Sequence, residues 1–158
     1  MTIVVYSSHT GSTKKYAEIF SERTGLSCYS IKDKYDPEER IIFFGWLRGP
    51  RIVGLDAVDR SKIIAIGIVS LDDNPDFGWN KVVDTNKIKV PHYHMRGWVD
   101  RKKLNIFDKT LFTFLCAMYK LKGFNPHTQQ LFDAMMNGGS FFDESALDNL
   151  ILFASTNQ

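Results

Sequence analysis

The segment Ser7-Ser8-His9-Thr10-Gly11-Ser12-Thr13 sets five hydroxyls and one glycine between a short β-rich run, Thr2 to Tyr6, and a helical pattern with Tyr16, Ala17 and Phe20 on one face. A loop of this kind ends at a helix N-terminus, where the first backbone N–H groups lack intrahelical acceptors and the helix dipole is positive. Hydroxyls from Ser8, Thr10, Ser12 and Thr13 can donate to a phosphate, and Gly11 lets the backbone close around it in a nest of N–H groups. No cationic side chain is required. The alternative is a hydroxyl-rich helix cap that holds nothing.

Other phosphate chemistries fail on the same residues. A Walker loop needs GxxxxGK(S/T) and a dinucleotide Rossmann loop needs GxGxxG, and neither pattern is present. A phosphatase on this topology needs a nucleophilic cysteine in the loop, and a receiver domain needs an aspartate where the first strand ends. Tyr6, Ser7 and Ser8 stand there instead.

The elements that must position the loop follow an alternating pattern. Gly25 ends the first helix, Leu26 to Ile31 forms a second strand, and Lys32 to Glu39 is a polar connection. Arg40 to Trp46 and Lys62 to Leu71 are nearly continuous apolar runs, as expected of central parallel strands covered on both faces. A crossover helix around Arg51 to Asp59 is expected between them. Lys87 to Met95 reads as a fifth strand, with Pro91 favouring the sheet edge. Helical stretches follow at about Ile106 to Leu121, Pro126 to Met136 and Asp143 to Phe153. The repeated unit is α/β and doubly wound, in one domain over residues 1–158 that carries a helical insertion over 96–139.

Composition narrows the function classes. Apolar residues make up 44% of the chain and charged residues 24%, ordinary globular values that leave no room for a long disordered tail. A net charge of +2 with dispersed basic residues gives no footprint for nucleic acid. Cys28 and Cys116 have no CxxC spacing, and the N-terminus enters a strand without a basic or long apolar leader, so a cytoplasmic protein is expected. No transmembrane segment is expected, because Asp108, Lys109, Lys120 and Lys122 interrupt the most apolar stretch.

The loop Ser8-His9-Thr10-Gly11-Ser12-Thr13 resembles the (S/T)xTGxT phosphate-binding loop of the flavodoxins. The later half is similar to flavodoxin-type, menaquinone-dependent protoporphyrinogen oxidases, through Met95-Arg96-Gly97-Trp98-Val99-Asp100 and Leu104-Asn105-Ile106-Phe107-Asp108-Lys109. The resemblance implies a flavodoxin-like five-stranded parallel sheet of order 2-1-3-4-5, with extra helices before the C-terminal helix. It also implies FMN as cofactor. The flavin ring would lie across Gly45-Trp46-Leu47-Arg48-Gly49 and Ser70-Leu71-Asp72-Asp73, with Trp46 over one ring face. The implied function is electron transfer to a redox partner protein or a small-molecule acceptor, with an oxidase acting on a porphyrinogen or quinone-like substrate as the alternative.

Three further patterns carry weaker readings. His92 and His94 share one face of the fifth strand and could join Asp72 or Asp73 around a metal, but two histidines are too few and hydrogen-bonded surface residues are the simpler reading. Arg48, Arg51, Arg96 and Arg101 fall near the carboxyl ends of the strands, where they would meet an anionic substrate or partner unless they are merely solvated. Arg96, Trp98, Arg101 and Phe107 are expected on the flavin side of the insertion. The apolar band from Ile106 to Met118 could dock on a membrane, a quinone or the rest of the protein, and packing within the domain is the simpler reading.

Overall fold

The computed structural model describes residues 1–72 and 78–157. Five strands run parallel: β1 (Thr2–Tyr6), β2 (Cys28–Ser30), β3 (Arg40–Arg48), β5 (Ile63–Ser70) and β6 (His92–Arg96). They lie in the order β2-β1-β3-β5-β6, which is 2-1-3-4-5 when the parallel strands alone are counted. A short antiparallel strand, β4 (Arg51–Val53), pairs with the end of β3. This is a flavodoxin-like sheet.

Alternation along the central strands splits the core into two faces. Ile42, Phe44, Ala65 and Val69 point to one face, packed by α1 (Ser12–Thr24) and α5 (Asp148–Thr156). Ile41, Phe43, Ile66 and Ile68 point to the other, covered by Ile52, Leu55, Val58 and Val82 of α2 (Trp79–Asn86). Residues Ile41 to Phe44 are at most 2% exposed, which accounts for the unbroken apolar run in the sequence. As expected from Pro91, β6 is the edge strand, and the Pro91 carbonyl accepts from the Ile66 N–H.

The expected crossover helix over 51–59 does not form. The chain instead turns at Gly49, returns as β4 against Trp46, Leu47 and Arg48, and crosses through two single 3-10 turns, Leu55–Ala57 and Arg60–Lys62. Gly49 and Gly54 adopt positive φ and divide the segment into pieces too short for an α-helix, while Leu55 and Val58 still supply the apolar cover. Asn86 anchors the hairpin, accepting from the Ile52 N–H and donating to the Pro50 carbonyl.

Gly54 also packs closely against Ser7 at the start of the loop after β1. Its φ is +89°, and a Cβ there would sit 2.3 Å from the Ser7 Cβ. Gly54→Ala is expected to cost about 2–3 kcal/mol through strain and overlap, read as a fall in the urea midpoint. A midpoint unchanged from wild type would show that β4 and the loop are not in contact.

The last third of the chain leaves the sheet and returns to it. β7 (Trp98–Val99) pairs antiparallel with β8 (Gly139–Ser140), and the Phe141 N–H donates to the Gly97 carbonyl. Between these strands stand α3 (Ile106–Lys122) and α4 (Pro126–Asn137), packed on each other through Cys116, Leu131 and Met135. Asn105 caps α3 by accepting from the Asp108 N–H, and Asn125 and Thr128 form a capping box on α4. The expected final helix over 143–153 divides into a 3-10 turn, Glu144–Leu147, and α5. Tyr16, fully buried, ties these parts together: its hydroxyl donates to the Arg96 carbonyl at 2.7 Å and accepts from the Asp143 N–H at 3.0 Å.

Candidate functional site

The carboxyl ends of β1, β3 and β5 open onto one cavity of about 290 Å³, and the helical excursion forms its far wall. Open α/β sheets bind ligands at this edge. Its floor is the loop after β1. Gly11, at φ +106°, turns the chain into α1, and no side chain caps the first turn of that helix. Ser12 and Thr13 are buried at 6% and 1% exposure, and the Ser8 Oγ is buried without a hydrogen-bond partner. An orphaned hydroxyl beside an uncapped helix N-terminus is suited to an anion with several acceptor oxygens.

Trp98 closes the loop from the side of the excursion. Its indole N–H donates to the Thr10 carbonyl at 3.0 Å, and its ring would lie 3.4 Å from a Cβ on Gly11. The Thr10 Oγ1 reaches the Trp98 carbonyl only at 3.5 Å, so that hydroxyl is weakly engaged.

The end of β3 supplies an aromatic and a cation. The His9 ring stacks on Trp46 at 5.7 Å between centroids, and the Arg48 guanidinium lies over the Trp46 ring at 4.9 Å and the Phe107 ring at 5.4 Å. Arg48 donates to Asp108 Oδ1 at 2.9 Å, and His9 Nε2 stands 3.3 Å from Asp108 Oδ2 without the alignment of a hydrogen bond. Asp108 is 5% exposed in the first turn of α3, so one buried carboxylate fastens the excursion to both the β1 and β3 loops. On the β5 side, His127 of α4 pairs with Asp72 at 2.8 Å. Between the two fastenings the wall is apolar, with Leu104, Leu111, Phe112, Leu115, Leu131 and Met135.

Of the residues expected at the site, His9, Thr10, Ser12 and Thr13 line the cavity from the first loop. Trp46, Leu47, Arg48 and Gly49 line it from β3, and Ser70, Leu71 and Asp72 from β5. Ser8 and Gly11, of the same loop, do not line the cavity. Gly45 does not line the cavity: it lies inside β3, where a Cβ would meet the Ile52 Cγ2 at 2.4 Å, so its smallness serves packing. Asp73 lies outside the described residues.

The expected flavin-side face of the excursion needs correction. Trp98 lines the cavity, but Arg101 donates to the Met135 carbonyl and braces α4. Arg96 is held over the Phe141 ring at 3.8 Å while its Nε donates to the Leu71 carbonyl. Phe107 is 64% exposed and contacts Arg48 from outside. Backbone carbonyls and rings thus take up Arg96 and Arg101, Arg48 is spent on Asp108, and Arg51 is exposed on the β4 hairpin.

Asp108, Leu131 and Met135 are site residues that the sequence reading missed. The linear signals for Asp108 are its place in the stretch Leu104 to Lys109 that carried the resemblance and the helix-start spacing Asn105-x-x-Asp108, and neither says anything of a partner sixty residues away in Arg48. Among the described residues no group of three or more metal-ligating side chains includes His92 and His94, and Asp73, one of the carboxylates considered with them, lies outside those residues. His94 stacks on Trp79 at 3.4 Å between centroids, and burial of its ring pushes its pKa down to about 4, favouring the neutral imidazole. Both cysteines are free thiols, and burial pushes Cys28 up to about 11. No helix among the described residues is long and apolar enough to cross a membrane.

No protein-family model and no curated protein matches the chain. Its class is therefore set by architecture: a flavodoxin-like α/β protein with an α-helical hairpin standing over the carboxyl edge of the sheet.

Proposed function

We propose that this protein binds FMN, with the phosphate on the Ser8–Thr13 loop and the ring in the cavity beside Trp46, and that it serves electron transfer. The orphaned Ser8 Oγ beside the uncapped N-terminus of α1 supports this reading above all. Its hydroxyl is able to donate, and the oxygens of a phosphate dianion accept. Ser12 and Thr13 would add hydroxyl and backbone donors, and Gly11 supplies the left-handed turn that leads into the helix N-terminus. Flavin, when bound, supplies the capacity to accept and return electrons.

The remaining residues act on position and environment. The Trp46 indole lines the cavity flanked by the His9 ring and the Arg48 guanidinium, so a flavin would stack on the ring area that these two leave or give up, and the wall of Leu111, Phe112, Leu115 and Met135 excludes water from whatever lies against it. Arg48, already neutralised by Asp108, sets the edge of the ring site without adding a free positive charge. Partner preference would then depend on the protein surface around the cavity.

A titration of folded apoprotein with FMN, followed by flavin fluorescence, tests the reading. Saturable quenching is expected. Trp46→Ala is expected to weaken FMN about fivefold to tenfold, from loss of roughly 1 kcal/mol of stacking. Absence of saturable binding would defeat the proposal.

The walled cavity favours a second reading, an oxidase that holds an organic substrate against the ring, because a carrier needs only an exposed ring edge. Steady-state rates separate the two. Fast reduction of a one-electron protein acceptor with no turnover of porphyrinogens or quinones supports the carrier, and the reverse supports the oxidase.

A further inference from the structure

The outer face of α3 faces away from the cavity, and no described residue covers it. Ile106, Phe114 and Leu121 are 83%, 63% and 88% exposed, and Phe107 and Phe124 extend the same apolar surface at the two ends of the helix. At 100° per residue, Ile106, Phe107, Thr110, Thr113, Phe114, Ala117 and Leu121 fall on one continuous side, opposite the buried Asp108 and Cys116. Such a stripe is a binding surface or a liability.

We propose that this face docks the protein on an anionic lipid surface, with α3 lying in the plane of the headgroups. Charge favours an anionic lipid surface over a second copy of the chain. Lys109 and Lys120 border one side of the stripe and Lys122 stands beyond the other, all three exposed, and none pairs with a carboxylate among the described residues. From Lys109 to Phe132 the sequence contains no aspartate or glutamate. A second copy laid on this face would bring lysines against lysines, whereas an anionic bilayer meets apolar residues and flanking cations together.

The polar groups on the stripe do not oppose insertion. The Thr110 hydroxyl donates to the Ile106 carbonyl and the Thr113 hydroxyl to the Lys109 carbonyl, so both are satisfied within the helix and need no water. The opposite face of α3, through Leu111, Phe112 and Leu115, walls the cavity, so docking would set the cavity beside the bilayer, one helix diameter away. The face stands independently of whether the loop holds FMN.

Co-sedimentation with vesicles tests the proposal directly. The full chain is expected to bind vesicles of equal parts phosphatidylcholine and phosphatidylglycerol, to bind pure phosphatidylcholine far less, and to be released by high salt. Phe114→Ser with Leu121→Ser is expected to lower the bound-to-free ratio by about tenfold or more, and Lys109→Glu with Lys120→Glu to remove the preference for the anionic vesicles. Neither pair lines the cavity, so FMN titration and circular dichroism should match wild type and confirm folding. Equal binding to both vesicle types, or no loss in either variant, overturns the proposal. So does a wild-type dimer that ignores vesicles and that Phe114→Ser with Leu121→Ser dissociates, because the face would then be a self-association surface.

Discussion

Gly11→Asp is expected to lower FMN affinity by about a hundredfold while reducing riboflavin affinity far less. A carboxylate about 5 Å from a phosphate, at an effective dielectric near 20, opposes binding by roughly 3 kcal/mol, and that energy corresponds to about two decades in Kd. Riboflavin has no phosphate and escapes the repulsion. The backbone adds a smaller cost shared by both ligands, since residue 11 sits at φ +106° and its new Cβ would lie 3.4 Å from the Trp98 ring. Gly11→Ala carries that strain without the charge and should fall between wild type and Gly11→Asp. Parallel fluorescence titrations with both flavins check the result; equal losses for the two would place the phosphate elsewhere.

The second large effect is local rather than global. Asp108→Ala is expected to release the start of α3 from the sheet, because one carboxylate at 5% exposure meets both Arg48 and His9. Arg48 is 37% exposed and can rehydrate, so solvent screens the pair and the expected loss of overall stability is only about 1–2 kcal/mol. Opening of the helical hairpin should become roughly tenfold more frequent, since that loss falls mainly on one weakly packed unit. Hydrogen exchange of the α3 amides measures it, and faster flavin dissociation should accompany it. Asp108→Ala with unchanged exchange in α3 would mean that apolar packing through Leu131 and Met135 holds the hairpin unaided.

The strands and the first loop were legible because local patterns determine them. Continuous apolar runs such as Ile41 to Phe44 can only be covered on both faces, and the sheet order followed from the resemblance of Ser8 to Thr13 to a known loop. The connection over 51–59 was misread because its apolar residues, Ile52, Leu55 and Val58, fit a helix as well as a hairpin. Positive φ at Gly49 and Gly54 decided between them. At the site, the loop residues and Trp46 were legible and the fastenings were not. Arg96 and Arg101 looked like ligands for an anion, yet the carbonyls of Leu71 and Met135 occupy them, and those contacts depend on how the excursion folds back through β7 and β8. Asp108 is the same lesson in reverse: its role exists only once α3 is docked.

The measurement closest to the central claim is a nitrogen-15 amide spectrum of the protein titrated first with riboflavin and then with FMN. If the loop after β1 holds the phosphate, the amides of Ser8 to Thr13 should move strongly downfield with FMN and barely with riboflavin, while the Trp46 indole resonance responds to both. Saturable FMN binding that leaves the Gly11, Ser12 and Thr13 amides where riboflavin leaves them would contradict the claim.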